Sequence, residues 1–472
     1  MIIEIGIFAV YLAMLIGIGI YTAKRARSYA GYNLAGRANN KWIAGIATQT
    51  SSTSGWMLLG MPAAAYFLGF GVVWILLGWL TGALFNWLIL AKRLRLSTEA
   101  HKALTMVEFF EKVSGDTTGK VALASGISII ILMIINVGAE IIASGKLLEA
   151  AFGIDFTVGV TIGLLVTVLY TFLGGYLAVS WTNLIEGIMM FLVLLLVPLA
   201  LLVITGGFGQ ISPALYAQDA NYFTFLSGTT GFWGIVAFIT GGFGIALMYP
   251  GMIHATTGLI SIKDPEEVKF SALIAIIWGA VALLGATTIG MVGRFVFPVI
   301  DDAEQILMLL SAEFFPSTAV ALVAAAVVAA ILSSISAYLI VAAASIGANV
   351  LKKHMTVQDE KKVIRIEKIA VVVISLGAYV LALQGGAVFT IALFAAAGLG
   401  ASFGPITIAG AFGFKVHRHA AVASILLGML VVIIWHYAGL SDVLIFEVFP
   451  GWIASTLALV LVDKYYKSKG EV

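Results

Sequence analysis

Apolar runs separated by short polar or charged segments recur along the whole chain. Runs near the roughly 20 residues that a helix needs to cross a bilayer occur about thirteen times. We expect these spans near residues 2–22, 42–67, 71–91, 121–149, 155–173, 179–204, 231–254, 270–298, 317–349, 367–384, 388–413, 420–438 and 444–463. The pattern predicts an all-α, polytopic membrane protein that retains its first apolar run as a span.

Two of the apolar runs are interrupted by Gly, Pro or hydroxyl residues. Residues 48–62 read TQTSSTSGWMLLGMP, and residues 239–251 read ITGGFGIALMYPG. A broken helix in lipid frees backbone groups, which persist only where they are buried or bind something. Paired breaks in two halves of a chain are typical of the binding site of a secondary transporter.

The spacing of the breaks predicts an internal repeat. The second and seventh spans begin about 190 residues apart with four spans between them, and a repeat of five spans must be inverted in the membrane. We therefore expect a single transmembrane transporter domain over 1–472. Its inverted-repeat core covers 42–413, the first span and a cytoplasmic loop cover 1–41, and two C-terminal spans and the tail cover 414–472.

Composition and charge exclude several other classes of protein. The chain is 61% hydrophobic and only 11% charged, with a net charge of +2 and no cysteine. A soluble globule needs more polar surface, and a nucleic-acid partner would need a basic patch. The sequence has no P-loop, which disfavours ATP-driven transport. It has neither the charge rings of a channel nor the clustered side chains of an enzyme, so we expect neither.

Lys and Arg concentrate in alternate connecting segments, as the positive-inside rule requires of cytoplasmic loops. This distribution predicts a plasma-membrane protein with its N-terminus outside and its C-terminus in the cytoplasm. Only Lys146 and Arg294 would then lie on the outer side.

Hydroxyl side chains crowd the first break. Six of the seven residues from Thr48 to Ser54 carry a hydroxyl, and Gly55 follows. Such side chains often bond back to the helix that carries them, but this density favours an unwound, ion-binding turn. In the ninth span, Ser333 and Ser334 lie together. They could help to bind sodium, or they could be small residues that allow close helix packing.

Motifs along nearly the whole chain resemble the sodium/solute symporter family, and the similarity is greatest to members that transport proline. The matching stretches are LAGR at 34–37, SGWMLLGMPAAAY at 54–66, RLRLSTE at 93–99, ALT at 103–105, LYTFLGGYLAVSWTN at 169–183, AAILSSIS at 329–336, AGLGASFGP at 397–405 and PGW at 450–452. The resemblance implies a leucine-transporter-like inverted repeat. It also implies sodium-driven import of a small polar organic solute, proline or a related amino acid, by a chain that needs no oligomeric partner.

The resemblance also implies the ligands of one sodium ion. They are the backbone carbonyls of Thr50, Thr53 and Ala330 and the hydroxyls of Ser333 and Ser334. Ser52 and Asn183 occupy positions where related transporters carry Asp, and Ala337 stands where a further sodium site would need a hydroxyl. We therefore expect a single neutral sodium site.

Two acids, Glu140 and Glu186, lie within predicted spans. A carboxylate near the bilayer centre is costly, so it should face a cavity, a partner or a proton. Glu140 could bind a substrate amine, neutralise a cation or carry a proton. A proton-coupled symporter that uses Glu140 or Glu186 is therefore the alternative, and a protonated structural role is possible for each.

By the same resemblance, positions next to the two breaks line the substrate cavity. The expected substrate-binding residues are Ser54, Gly55, Trp56, Asn136, Glu140 and Phe238. His254, near the inner end of the seventh span, is expected to be a solvated helix cap rather than a proton relay.

Overall fold

The computed structural model describes residues 2–23, 28–346 and 360–470. Over these residues the chain is helical, with one isolated bridge between Asn39 and Ile262. The α-helices are α1 Ile2–Ala23, α2 Tyr29–Leu34, α3 Lys41–Gly55, α4 Met61–Leu68, α5 Val73–Leu84, α6 Ala91–Ala100, α7 Met106–Val113, α8 Lys120–Phe152, α9 Phe156–Ile204, α10 Phe208–Gln218, α11 Phe232–Phe243, α12 Ile245–Met248, α13 Ile253–Ile260, α14 Val268–Val296, α15 Ile306–Phe314, α16 Ser317–Ala344, α17 Glu360–Ala382, α18 Val388–Ala411, α19 Arg418–Tyr437 and α20 Val448–Ser468.

Eight helical segments within the described ranges are long and apolar enough to cross a membrane. A ninth is formed by α11 together with 245–251, which are bent by 43° relative to each other. The prediction of a polytopic helical membrane protein is confirmed, while the number thirteen stays a prediction. The counts differ partly because helices continue through predicted boundaries, so that the second and third predicted spans fall in one helical segment, Lys41–Ala100.

Gly175 divides the long helix α9 between the fifth and sixth predicted spans. Its backbone has φ 61° and ψ −172°, a conformation that interrupts the helix. A side chain at this φ would be strained, and an added Cβ would lie 2.6 Å from the ring of Tyr32. Glycine therefore allows α9 to turn while α2 packs against it.

The spans nearest the predicted site are the most buried ones. Helix α16 packs on α3, α8 and α9, and α18 packs on α8 and on residues 249–251. Small residues allow this close approach. A Cβ on Gly251 would lie 2.3 Å from the carbonyl oxygen of Leu399, so the second break rests directly on the backbone of α18.

An ion-pair cluster fixes the start of α18. Lys146 Nζ lies 2.6 Å from Glu304 Oε2 and 2.8 Å from Asp302 Oδ2. Glu304 also accepts hydrogen bonds from the amides of Val388 and Phe389, both at 3.0 Å. These two amides belong to the first turn of α18, where a carboxylate complements the free N–H groups. The cluster thus joins α8, the 302–304 segment and α18.

Candidate functional site

The first break is a single-residue kink at Ser54, where φ is 31° and ψ is −171°. In an unbroken helix the Gly55 amide would donate to the Ser51 carbonyl. Here it donates to Oε2 of Glu140 at 3.0 Å, and the Ser51 carbonyl accepts from the hydroxyl of Ser334 at 3.4 Å. The backbone groups that the kink releases are therefore taken up by side chains of α8 and α16.

The hydroxyl cluster before this kink stays helical, so the expectation of an unwound turn is wrong, while the expectation that this segment binds an ion stays a prediction. The hydroxyls of Thr50, Ser51, Ser52 and Thr53 each donate to a carbonyl three or four residues earlier. Such bonds satisfy a hydroxyl within its own helix. The helix continues to the kink, and the density of hydroxyls reflects local bonding within α3.

The serine pair of α16 faces α3 at the kink. Ser333 and Ser334 are fully buried, and Ser333 donates to the carbonyl of Ala330 at 2.8 Å. The predicted sodium residues of α16 thus lie together and against the predicted segment of α3. The contact through the Ser51 carbonyl was missed, because the sequence does not show which carbonyl a kink will release.

Glu140 is almost completely buried beside the kink. Its Oε2 accepts the Gly55 amide, whereas its Oε1 has no hydrogen-bond partner among the described residues. A Cβ on Gly55 would lie 2.8 Å from Oε2, so the absence of a side chain permits this approach. A buried oxygen without a partner is unusual in proteins and is available to a ligand.

Glu186 has a different environment, in which both carboxylate oxygens have partners. Tyr11 of α1 donates to Oε1 at 3.0 Å. In the amide orientation that its neighbours favour, Asn183 donates to Oε2 at 3.1 Å and to the Val179 carbonyl at 3.1 Å. Glu186 therefore joins α1 to α9, and Asn183 is its partner.

The second break extends over the bend between α11 and α12 and continues to Met252. Met252 is extended, with φ −68° and ψ 93°, and α13 begins at Ile253 without a side-chain cap. Between the two breaks lies a narrow cavity of about 30 Å³. Its lining comprises Ser52, Trp56, Trp79, Asn136, Ile245, Met248, Tyr249, Met252, His254, Tyr338, Ala392, Leu393 and Ala396.

The predicted substrate residues divide into three groups. Trp56 and Asn136 line the narrow cavity. Ser54, Gly55 and Glu140 are buried at the kink and are not among the residues that line the cavity. Phe238 lines a separate cavity of about 720 Å³, which also contacts Leu393. The ring of Phe389 lines this larger cavity and packs 5.9 Å from the ring of Trp56, so these aromatic rings lie between the two spaces.

His254 is not a solvated cap, and that expectation is wrong. It is only 4% exposed, it lines the narrow cavity, and its ring packs edge-on against Tyr338 at 4.7 Å. The sequence places it near the end of an apolar run, where a polar residue usually meets water. The second break instead turns α13 so that His254 faces the interior.

The side of the molecule opposite the larger cavity is closed by polar contacts. Asn39 donates to the hydroxyls of Ser180 at 3.1 Å and Ser261 at 2.9 Å. Arg37 donates to the carbonyls of Ala103 at 2.8 Å and Ile260 at 3.3 Å. Burial, and next the charge of Arg95, lowers the pKa of Arg37 to about 10, which leaves it charged at neutral pH.

A helical bundle with two broken spans facing one buried, polar site defines a secondary transporter. The chain belongs to the sodium:solute symporter family, whose sequence model matches residues 32–428. It is 32% identical to the high-affinity proline transporter PutP of Bacillus subtilis over 94% of each chain. It is 31% identical to the sodium/proline symporter of Staphylococcus aureus over 98% of this chain and 92% of the relative.

Solved structures confirm the predicted fold class. A Na⁺-coupled sialic acid symporter in a substrate-bound, outward-open state matches with a TM-score of 0.81 at 19% identity, over 98% of both chains. The nucleobase-cation symporter Mhp1 matches with a TM-score of 0.56 at 12% identity, over 94% of this chain and 96% of that structure. At these identities the likeness concerns the fold alone.

Proposed function

We propose that this protein imports proline, or a closely related amino acid, together with sodium. Two relatives named for proline transport, each more than 30% identical over nearly the whole chain, support the substrate. The observation that carries the coupling is the contact between the Ser334 hydroxyl and the Ser51 carbonyl. It brings the serine pair of α16 to the carbonyls of the broken span.

The sodium site comprises the carbonyls of Thr50, Thr53 and Ala330 and the hydroxyls of Ser333 and Ser334. All five residues are buried, and all of these groups are neutral oxygen donors. A hydroxyl that donates its hydrogen keeps lone pairs for a cation, so the bond from Ser333 to Ala330 is compatible with both residues as ligands. Asn183 and Ser52 add no charge, and the site holds one ion.

Coupling follows from the position of this site between α3 and α16. Sodium would bind both helices and favour the arrangement in which the kink faces Ser334. The substrate would contact Trp56 and Asn136 beside the same kink, with Ser54, Gly55 and Glu140 behind it and Phe238 in the larger cavity. Two ligands that favour one conformation increase each other's affinity.

The larger cavity and the polar closure on the opposite side support an outward-facing arrangement. We place the larger cavity on the outer side of the plasma membrane, with the N-terminus outside and the C-terminus in the cytoplasm. The inverted-repeat core is 42–413, between the segments 1–41 and 414–472. One chain contains every residue that we propose to bind sodium or substrate, so a monomer suffices for transport. The transport involves no enzymatic step.

Proton coupling is the second candidate, and the unpaired Oε1 of Glu140 favours it. A carboxylate with a free oxygen beside the broken span could receive a proton from a substrate or from solvent. Glu186 is a weaker candidate for this role because Tyr11 and Asn183 occupy its two oxygens.

The deciding experiment measures uptake of radiolabelled proline into proteoliposomes of the purified chain. A sodium gradient is compared with a proton gradient at zero sodium. Sodium-driven accumulation that is lost in the Ser333→Ala/Ser334→Ala double variant would support the proposal. Ser424→Ala is the matched control, because Ser424 is a buried serine that bonds to Ser455 in α20. Accumulation driven only by protons would favour Glu140, and no uptake would reject proline as substrate.

A further inference from the structure

His254 is a buried polar side chain that none of the roles assigned above uses. Neither of its ring nitrogens has a hydrogen-bond partner among the described residues. The ring nevertheless lines the narrow cavity together with Asn136 and Trp56. Buried polar groups in native proteins are almost always paired, so a ring that faces the proposed substrate cavity without a partner points to a ligand as the missing partner.

The N-terminus of α13 lies beside the same cavity. His254 is the second residue of α13, and Met252, which precedes that helix, also lines the cavity. The first N–H groups of a helix have no partner within the helix, and no side chain caps α13. A helix N-terminus with free amides favours an anion. A neutral imidazole adds one N–H donor.

The first break is unsuitable for an anion. Its released amide, that of Gly55, already donates to the carboxylate of Glu140. A second carboxylate placed there would lose that donor and would meet a buried acid. The two breaks therefore differ in character, with a carboxylate at the first and unpaired donors at the second.

We propose that the carboxylate of an amino-acid substrate binds at the second break, where it accepts hydrogen bonds from the ring of His254 and the first amides of α13. This inference rests on the proposed function, since it requires an amino acid as substrate. It makes His254 a residue that selects for a carboxylate. It also directs the amino end of the substrate away from α13 and toward the kink at Ser54.

The test measures equilibrium binding of radiolabelled proline to the purified full-length protein in saturating sodium, with unlabelled proline or prolinamide as competitor. Prolinamide lacks the negative charge, so the unmodified protein should prefer proline. In His254→Leu we expect the Kd for proline to rise at least tenfold and the preference over prolinamide to shrink. His254→Gln, which keeps a donor, should retain part of the preference.

Thr257→Val is the matched control, because Thr257 lies on the same helix and bonds to the Ile253 carbonyl. It should leave both affinities unchanged. If the unmodified protein binds proline and His254→Leu binds it with the same Kd and the same preference, the inference is overturned. If the unmodified protein binds no proline, it is the proposed substrate that fails.

A second measurement needs no substitution at His254. In protein labelled with ¹⁵N-histidine, saturating proline should shift the ring nitrogen resonances of a histidine that is shielded from solvent. Unchanged ring resonances in proline-bound protein would overturn the inference, even if the His254 variants do not fold.

Discussion

The carboxylate of Glu140 accepts a hydrogen bond from the backbone amide of Gly55 at 3.0 Å, across 85 positions of sequence. The acid thereby replaces the Ser51 carbonyl as partner of this amide, and the carbonyl turns to Ser334 instead. An acid on α8, a kink in α3 and a serine on α16 thus form one connected arrangement. Changes at any of the three should affect transport.

Two substitutions of Glu140 distinguish the effect of its negative charge from its role as a hydrogen-bond acceptor. Glu140→Gln keeps an oxygen for the Gly55 amide, so the protein should fold, but it removes the negative charge from the kink. Hydrogen bonds to a charged group contribute about 1.5–3 kcal/mol, so we expect an increase of roughly 10- to 100-fold in the KM for substrate or sodium. Uptake kinetics in proteoliposomes measure this.

Glu140→Ala should be worse, because it leaves the buried Gly55 amide unpaired as well. Its thermal stability in detergent should fall below that of Glu140→Gln. If both variants transport with unchanged KM and pH dependence, Glu140 has only a structural role.

Asn39 should control access from the closed side. Asn39→Ala removes two hydrogen bonds, one to Ser261 after α13 and one to Ser180 of α9, and each contributes about 0.5–1.5 kcal/mol. The chain has no cysteine, so a single reporter can be introduced as Ile340→Cys, at a buried residue that lines a small cavity near Thr257. We expect Asn39→Ala to increase thiol labelling of this reporter several-fold, and sodium to reduce it.

Asn40→Ser serves as the control for that variant. Asn40 caps α3 by accepting from the Trp42 and Ile43 amides, and a serine preserves the cap. It should leave labelling unchanged. Equal labelling of Asn39→Ala and the parent would mean that Asn39 does not hold this side closed.

The ion-pair cluster at the start of α18 should contribute to stability mainly through Glu304. Glu304→Ala removes one of the two acidic partners of Lys146 and the acceptor of the Val388 and Phe389 amides, so we expect a loss of about 3 kcal/mol. Asp302→Asn is the milder comparison, because Asn can still accept from the Glu304 amide. Thermal unfolding of both variants should rank Glu304→Ala as the less stable. A lower melting temperature for Asp302→Asn than for Glu304→Ala would contradict the view that Glu304 contributes most of the stability of this cluster.

Gly285 lies where α14 packs closely against the backbone of α9. A Cβ there would lie 1.8 Å from the Leu194 carbonyl oxygen, and backbone cannot move aside as a flexible side chain does. We expect Gly285→Ala to lower stability by about 1–3 kcal/mol through overpacking. Gly17→Ala, in a helix where an added Cβ meets nothing within 4 Å, should be neutral or stabilising. If Gly285→Ala melts at the same temperature as the unmodified protein, the close packing of α14 on α9 is refuted.

Sequence alone determined the helical membrane fold, the existence of two breaks and the family. These features are local, because lipid obliges each span to satisfy its backbone within a helix, and Gly, Pro and hydroxyl residues mark where that fails. Tertiary structure decided which groups pair with one another at the two breaks. The contact of Glu140 with Gly55, the release of the Ser51 carbonyl and the inward orientation of His254 depend on how distant helices pack, which no local pattern encodes.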